Sequence, residues 1–399
     1  MASRIKMSAG LAAMALAVAA LAESPKTGKS DRVMFGGTPA RNMVNSVDRD
    51  VAENPNPRDG RGLLWKAELG TLSYGNPTIA GGKVFVGTNN GRPRNPRDMR
   101  KNPDGDTETL DKGILMCFDE ATGKFLWQAV HDKLPSGQVN DWPDVGISST
   151  PLVEGDRVYY VSNRCTLVCL DVNGFADGNQ GITTEKYKEK SDADFIWEYD
   201  MIKELDVFHH NSSSSSPMIV GDLVYVVTSN GVDENHIKIP HPEAPSFIAV
   251  NKKTGALVWK SNLPGKNIMH AQWSNPVYSD VGGVKQAIFP GGDGWLYSLT
   301  ADKGVLVWKF DANPKDAVYM LGGAGSRSDF IGTPVVADGK LYIGTGQDPE
   351  HGAGIAHFYC IDIAKAVENA KKNKNQDVSP ELVDKVEKDE EGKSKVTAT

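Results

Sequence analysis

Histidines, cysteines and closely spaced acids are the residues of this chain with the chemistry to hold a metal or form a covalent intermediate. His209 and His210 precede Asn211 and a run of five serines, 212–216, while His131, His236, His270 and His351 fall in other turn-rich stretches. Imidazole is a common ligand of zinc-like ions, but none of these stands at ligand spacing from a partner. They read as solvated loop histidines, and no metal ligand is assigned. Cys117, Cys169 and Cys360 occur at one position of a repeating pattern, where Ala249 and Ser298 stand elsewhere, and so read as small buried strand residues. Cys165 and Cys169, placed on one strand, would lie about 13 Å apart, too far to bridge. There is no Cys-x-x-Cys-His, which excludes c-type haem attachment. The acidic stretches Asp104-Gly105-Asp106-Thr107-Glu108 and Asp171-Val172-Asn173-Gly174 have the oxygen ligands calcium wants, but the latter has Phe175 where a calcium loop places an acid, and both read as plain turns.

Those residues must be positioned by a chain of 399 residues with a formal charge of −7 and 41 glycines. Lys and Arg are scattered, which argues against a nucleic-acid partner. Residues 1–22 have the form of an export signal: Arg4 and Lys6, an apolar Gly10–Leu21 run too short to span a bilayer, then Ala20-Leu21-Ala22. Their loss removes two basic residues and no acid, taking −7 to −9. The expected location is the periplasm or the medium outside a bacterial cell, with no membrane span in the mature chain. Residues 23–60 read as an extended arm with little structure of its own.

From residue 61 to 363 the chain repeats. Ser274–Asp311 is one complete unit of four short strands: Pro276–Tyr278, Ala287–Phe289, Trp295–Thr300 and Val305–Phe310, with Gly- and Asp-rich turns between them. Five units start with a small polar residue before proline: Asn76-Pro77, Thr150-Pro151, Ser216-Pro217, Asn275-Pro276 and Thr333-Pro334. Four close on a tryptophan, Trp127, Trp197, Trp259 and Trp308, and Trp65 stands as an isolated fourth strand. One such sheet cannot bury both faces alone, so the repetition predicts an all-β propeller of four-stranded antiparallel blades. The long insertions 89–112, 172–194 and 230–244 are loops, and most polar loops are expected on one rim. Residues 364–399 read as a charged, partly helical insertion or tail, with a helix over Ala364–Lys371 and another starting at Ser379-Pro380-Glu381. With the fifth unit lacking its Trp, the sequence is expected to be C-terminally truncated from a propeller of seven or eight blades.

Cys117-x-Asp119-x-x-Thr122-Gly123-x-x-x-Trp127 and Ala249-x-Asn251-x-x-Thr254-Gly255-x-x-x-Trp259 resemble the blade-docking motif of pyrroloquinoline-quinone (PQQ)-like repeats; Gly304 and Trp308 keep its last two elements. In that motif the Thr-Gly pair turns tightly and the Trp packs between blades. The repeats occur in quinoprotein alcohol dehydrogenases, in BamB-type propellers of outer-membrane assembly and in secreted proteins of unassigned role. The enzyme class implies PQQ and Ca²⁺, a carboxylate base, a cation for the quinone oxygens and an aromatic floor. Asp144, Trp273, Asn275, Arg327 and Asp329 have matching types just before the innermost strands. The adjacent Cys pair that many such dehydrogenases carry is absent from this sequence, as is a lipid-anchor Cys after the signal. The expectation is therefore a non-catalytic binding or scaffolding propeller, its partner (a protein or small molecule) held on the loop-rich rim, with a PQQ- and Ca²⁺-dependent dehydrogenase or a BamB-like assembly factor as alternatives.

Overall fold

The computed structural model describes residues 31–45, 48, 52–347, 354–388 and 394–398. The expected export signal and His351 lie outside them. Blade I pairs β1 (Thr78–Ala80), β2 (Lys83–Asn89), β5 (Lys112–Asp119) and β6 (Phe125–Asp132), with a small hairpin, β3 (Met99–Lys101) and β4 (Thr107–Thr109), inserted between β2 and β5. Blade II contains β7 (Leu152–Glu154), β8 (Arg157–Val161), β9 (Thr166–Asp171) and β10 (Phe195–Asp200), followed by the short helix α1 (Met201–Leu205). Blade III is β11 (Met218–Val220), β12 (Leu223–Val227), β13 (Phe247–Asn251) and β14 (Leu257–Ser261); blade IV is β15 (Val277–Ser279), β16 (Gln286–Pro290), β17 (Trp295–Thr300) and β18 (Leu306–Asp311). The fifth sheet has three strands, β19 (Val335–Ala337), β20 (Lys340–Gly344) and β21 (Phe358–Asp362). All are antiparallel meanders, as the repeats required.

The small residue of the repeat has a packing reason. Cys117, Cys169, Ala249 and Ser298 are the cross-strand partners of Trp127, Trp197, Trp259 and Trp308. A large indole needs a small neighbour directly opposite. The indoles of Trp65, Trp127, Trp197 and Trp259 then reach the next blade and donate to the carbonyl just after that blade's third strand. Trp65 Nε1 bonds Glu120 O (2.7 Å), Trp127 bonds Val172 O (3.3 Å), Trp197 bonds Lys252 O (3.0 Å) and Trp259 bonds Ala301 O (2.9 Å). Glycine is required where those rings land: a Cβ on Gly123, Gly255 or Gly304 would meet Trp65, Trp197 or Trp259 at 2.5, 2.7 and 2.6 Å, and all three have positive φ. Trp127 lies against Gly174, which comes one residue earlier in its turn than the motif places glycine. Trp308 breaks the series by bonding Gln286 Oε1 (2.7 Å) in its own blade, because Ile363, the equivalent acceptor, opens helix α2 (Ile363–Lys372).

Four expectations need correction. Trp65 stands on no strand, since residues 62–77 run irregularly into β1. The helix start at Ser379 is a non-helical stretch instead: Asp377 pairs in parallel with Lys309 of β18, and the Ser379 hydroxyl accepts from Asp311 N (2.7 Å). A short hairpin follows, β22 (Asp384–Lys388) with β23 (Ser394–Ala398). Cys360 is exposed while Cys117, Cys165 and Cys169 are buried, since β21 is the outermost strand of its sheet among the described residues. Cys165 lies in the turn before β9, with φ 56, and not on a strand. Among the described residues no helix is long and apolar enough to cross a membrane.

The arm has no strand of its own, yet it is seated along the innermost strands. In four of the five units the residue two beyond the proline meets it at equivalent places. Ile79 exchanges two main-chain bonds with Arg32 (2.7 and 3.1 Å), Val153 N donates to Val33 O (2.8 Å), Tyr278 N to Pro39 O (2.9 Å) and Val336 N to Ala40 O (2.9 Å). Arg41 completes the set by donating to Ser216 O and Pro217 O of blade III (3.0 and 3.1 Å), to Pro276 O (3.1 Å) and to Phe35 O (2.7 Å). The arm thus bonds strands of four sheets and the segment that enters blade III.

Candidate functional site

The residues before the five prolines form a clasp around the inner strands. Asn76 N donates to Thr150 Oγ1 (3.0 Å), Thr150 N to Ser216 Oγ (3.1 Å), Ser216 N to Asn275 Oδ1 (2.6 Å) and Asn275 Nδ2 to Thr333 Oγ1 (2.7 Å). Asn275, one of the candidate cofactor residues, therefore has both amide atoms engaged in joining blades III to V. Arg327 is held by Asp311 (2.6 Å) and by the Asp293 carbonyl (3.1 Å). Asp329 Oδ1 accepts from Phe330 N (2.6 Å), and its own N–H donates to Gly346 O (2.9 Å). Asp144 is exposed in the loop joining blades I and II, where its backbone bonds Asp111 and Asn89. Trp273 packs edge-on against His270, ring centroids 5.0 Å apart at 80°. The bonds of these five residues lead to different neighbours.

The side chains that do converge are histidines. His210 lies in the connection from blade II to III, His236 in the loop between β12 and β13, and His270 in the connection from blade III to IV. Their ring centroids are 4.5–4.9 Å apart, and one nitrogen of each lies within 4.8 Å of the others. His210 and His270 are 1 % exposed and His236 half-buried, which overturns the reading of these rings as solvated. Three backbone segments are sewn together to bring them there. His210 N bonds Ser229 O (3.2 Å), Gly231 N bonds Phe208 O (2.9 Å) and Val232 N bonds His270 O (2.9 Å). At Gly231 any Cβ would meet His270 O at 2.6 Å and His210 Cβ at 2.9 Å, so the segments approach as closely as glycine permits. Asp233 fixes the loop of His236, its Oδ1 accepting from Ile237 N (2.9 Å) and Lys238 N (3.2 Å). A fourth loop closes on the cluster where Gly322 passes His236. Sequence spacing hid the group because its members come from three loops; His210 and His236 are 26 residues apart.

The acidic stretches behave as turns. Asp106 N is held by Asn102 Oδ1 (2.8 Å) and Glu108 pairs with Arg100, while Asp171 pairs with Arg157 (2.7 Å) and caps Asn173 N (2.7 Å). Buried thiols are inert: desolvation pushes Cys165 and Cys169 up to about 12. The insertion 172–194 runs along the outer strand of blade I, with Ser191 O and Ala193 N bonded to Gln128 and Asp192 paired with Arg97.

His131 lies apart from the cluster, its Nε2 2.6 Å from the buried Tyr160 hydroxyl. Burial, reinforced by Arg164, lowers its pKa from 6.5 to about 4, so it is neutral in the fold. The unfolded chain binds this proton below pH 6.5 and the native state does not. Stability from His131 is full above that pH and is lost as pH falls toward 4, by about 2 kcal/mol between pH 7 and 5. Asp293, raised by burial to about 7, works in the opposite direction over the same range. Urea midpoints at pH 7 and 5 should show a smaller acid loss in His131→Gln than in the parent; equal losses would remove His131 from the account.

The family profile described as outer membrane protein assembly factor BamB matches residues 50–232 and 189–385. Among solved structures, BamB from Moraxella catarrhalis is 18% identical over 63% of this chain and 53% of its own, with a TM-score of 0.34. Quinohemoprotein alcohol dehydrogenase from Comamonas testosteroni is 12% identical over 82% of this chain and 49% of its own, TM-score 0.50, and a europium-containing methanol dehydrogenase 14% over 86% and 57%, TM-score 0.48. The chain spans about half the length of these structures, and at such identities the likeness is one of fold. No curated protein matches it. With the profile covering most of the sequence and the blades built on the same docking tryptophans, the chain belongs to the PQQ-like repeat β-propeller family described by BamB.

Proposed function

We propose that this propeller is an exported, non-catalytic binding or scaffolding module of the cell envelope that holds its partner on the loop-rich rim. The observation that carries the reading is the seated arm: residues 32–41 bond the inner strands of four sheets and the Ser216-Pro217 entry to the strands of blade III, so the protein's own backbone lines the inner-strand edges along which an axial cofactor would be sought. The engagement of Asn275 in bonds between blades, and of Arg327 with Asp311 and the Asp293 carbonyl of blade IV, supports it. So does the description of the family as an assembly factor, which is a role in protein binding. The rim supplies a surface of the right kind, since the β2–β5 and β12–β13 loops and the interblade connections are long and polar.

The competing reading, a PQQ- and Ca²⁺-dependent dehydrogenase, makes a different prediction in one experiment. PQQ with Ca²⁺ is titrated into the protein by calorimetry, and photo-crosslinkers are placed in the 230–244 loop and, as a control, in the turn at Lys253 on the other end of blade III. No heat from the quinone and crosslinks to one defined envelope protein from the loop alone are expected. Saturable, calcium-dependent binding near one quinone per chain would overturn the scaffold reading, as would equal crosslinking from both positions.

A further inference from the structure

The geometry points to a site for one divalent transition metal of the zinc class, held by His210, His236 and His270 on the rim of blade III. His210 Nδ1 is 2.9 Å from Val232 O, and a carbonyl only accepts, so the proton is on Nδ1 and the lone pair on Nε2. That lone pair lies 3.2 Å from His236 Nε2. Two nitrogens on a tetrahedral ion at a zinc–nitrogen bond of about 2.0–2.1 Å are about 3.3 Å apart, so this pair already has the spacing of two ligands. The third ring completes the group within 4.8 Å.

The surroundings are those of a ligand set. An imidazole that binds metal through one nitrogen commonly donates from the other to a backbone carbonyl, which is the arrangement of His210 and Val232. Trp273 packs against the edge of His270 and limits its rotation. His236 has φ 58, in the left-handed region, and it is the half-buried member. Three neutral imidazoles with no carboxylate or thiolate select zinc, copper, nickel or cobalt over calcium or magnesium. Three protein ligands leave a fourth position for water or for a donor group of a bound partner. The site thus goes beyond a generic rim contact by naming the chemistry through which the rim would hold something.

The test uses the chelator-stripped protein with Co²⁺ as the probe, because tetrahedral Co²⁺ absorbs visibly, followed by displacement with Zn²⁺. One Co²⁺ per chain with a tetrahedral spectrum is expected, displaced by one Zn²⁺ with a rise in Tm. His270→Ala and His236→Ala should each weaken binding by more than about 100-fold, beyond the loss caused by removing an outer-shell partner. His241→Ala, on the same rim but bound to Asp206, should bind as the parent does. His236 is half-buried, so His236→Ala tests the site even where substituting a buried ring unfolds the chain. Binding unchanged in a folded His236→Ala, or no stoichiometric Co²⁺ uptake by the parent, would overturn the assignment.

Discussion

Arg41→Ala is expected to lower the urea midpoint of the protein by an amount equivalent to about 3–5 kcal/mol and to release the arm to protease. The guanidinium is fully buried, and its bonds go to four backbone carbonyls on three separate stretches of chain. Burial lowers its pKa to about 9, so it remains charged at neutral pH and those carbonyl dipoles replace the water it has given up. Alanine leaves the carbonyls of Ser216, Pro217 and Pro276 facing a cavity. Lysine should rescue little, since a single ammonium lacks the planar fork that reaches both blades III and IV at once. Trypsin cleavage after Arg32 is the readout that separates a loosened arm from a weakened core. If Arg41→Ala keeps the parent's midpoint and its resistance at Arg32, the arm is held by its main-chain bonds alone.

Trp127→Ala should cost about 3–5 kcal/mol, and Trp65→Ala clearly less. The two side chains have the same role, each laid on a glycine of the next blade and each donating to a carbonyl there. They differ in burial: Trp127 is 2 % exposed, between blades I and II and tilted against Phe85 at 5.9 Å, whereas Trp65 is half-buried beside the exposed Leu64. Cavity cost scales with the contacts that cannot be replaced by water, so burial sets the order. Equal costs from urea midpoints would mean that the indole hydrogen bond, and not the buried ring, dominates blade docking.

The blades were legible because each is a local pattern. Proline, β-branched strands, a Gly turn and a Trp recur within 50 residues or fewer, and all four complete sheets form where that pattern stands. The arm was not legible as a structural element. Val33, Met34 and Phe35 form only a short apolar run, cut by Gly36-Gly37, and what fixes it is hydrogen bonding to strands far along the chain, which leaves no periodicity to read. The histidine cluster escaped for a related reason, since its ligands share a rim without sharing a motif. What could have shown it is the loop type: His210, His236 and His270 all fall in second-to-third loops or interblade connections, which lie on one face of a propeller. The candidate axial residues were chosen by type, and type alone did not reveal that Asn275 is a link of the interblade clasp.

The arm also sets an order of events for the folding chain. It is made before any of the blades, yet its acceptors and donors include Pro276, Tyr278 and Val336, and Arg41 is separated from Pro276 by 235 residues. Its seat does not exist until the fourth and fifth sheets have formed, so a segment made before the blades is locked after them. Contacts of such long sequence separation are slow to form, because loop closure must precede any gain from them. Until then the inner strands of early blades have free main-chain groups, and a partly synthesised chain is expected to be the aggregation-prone species, protected only when the arm returns to them.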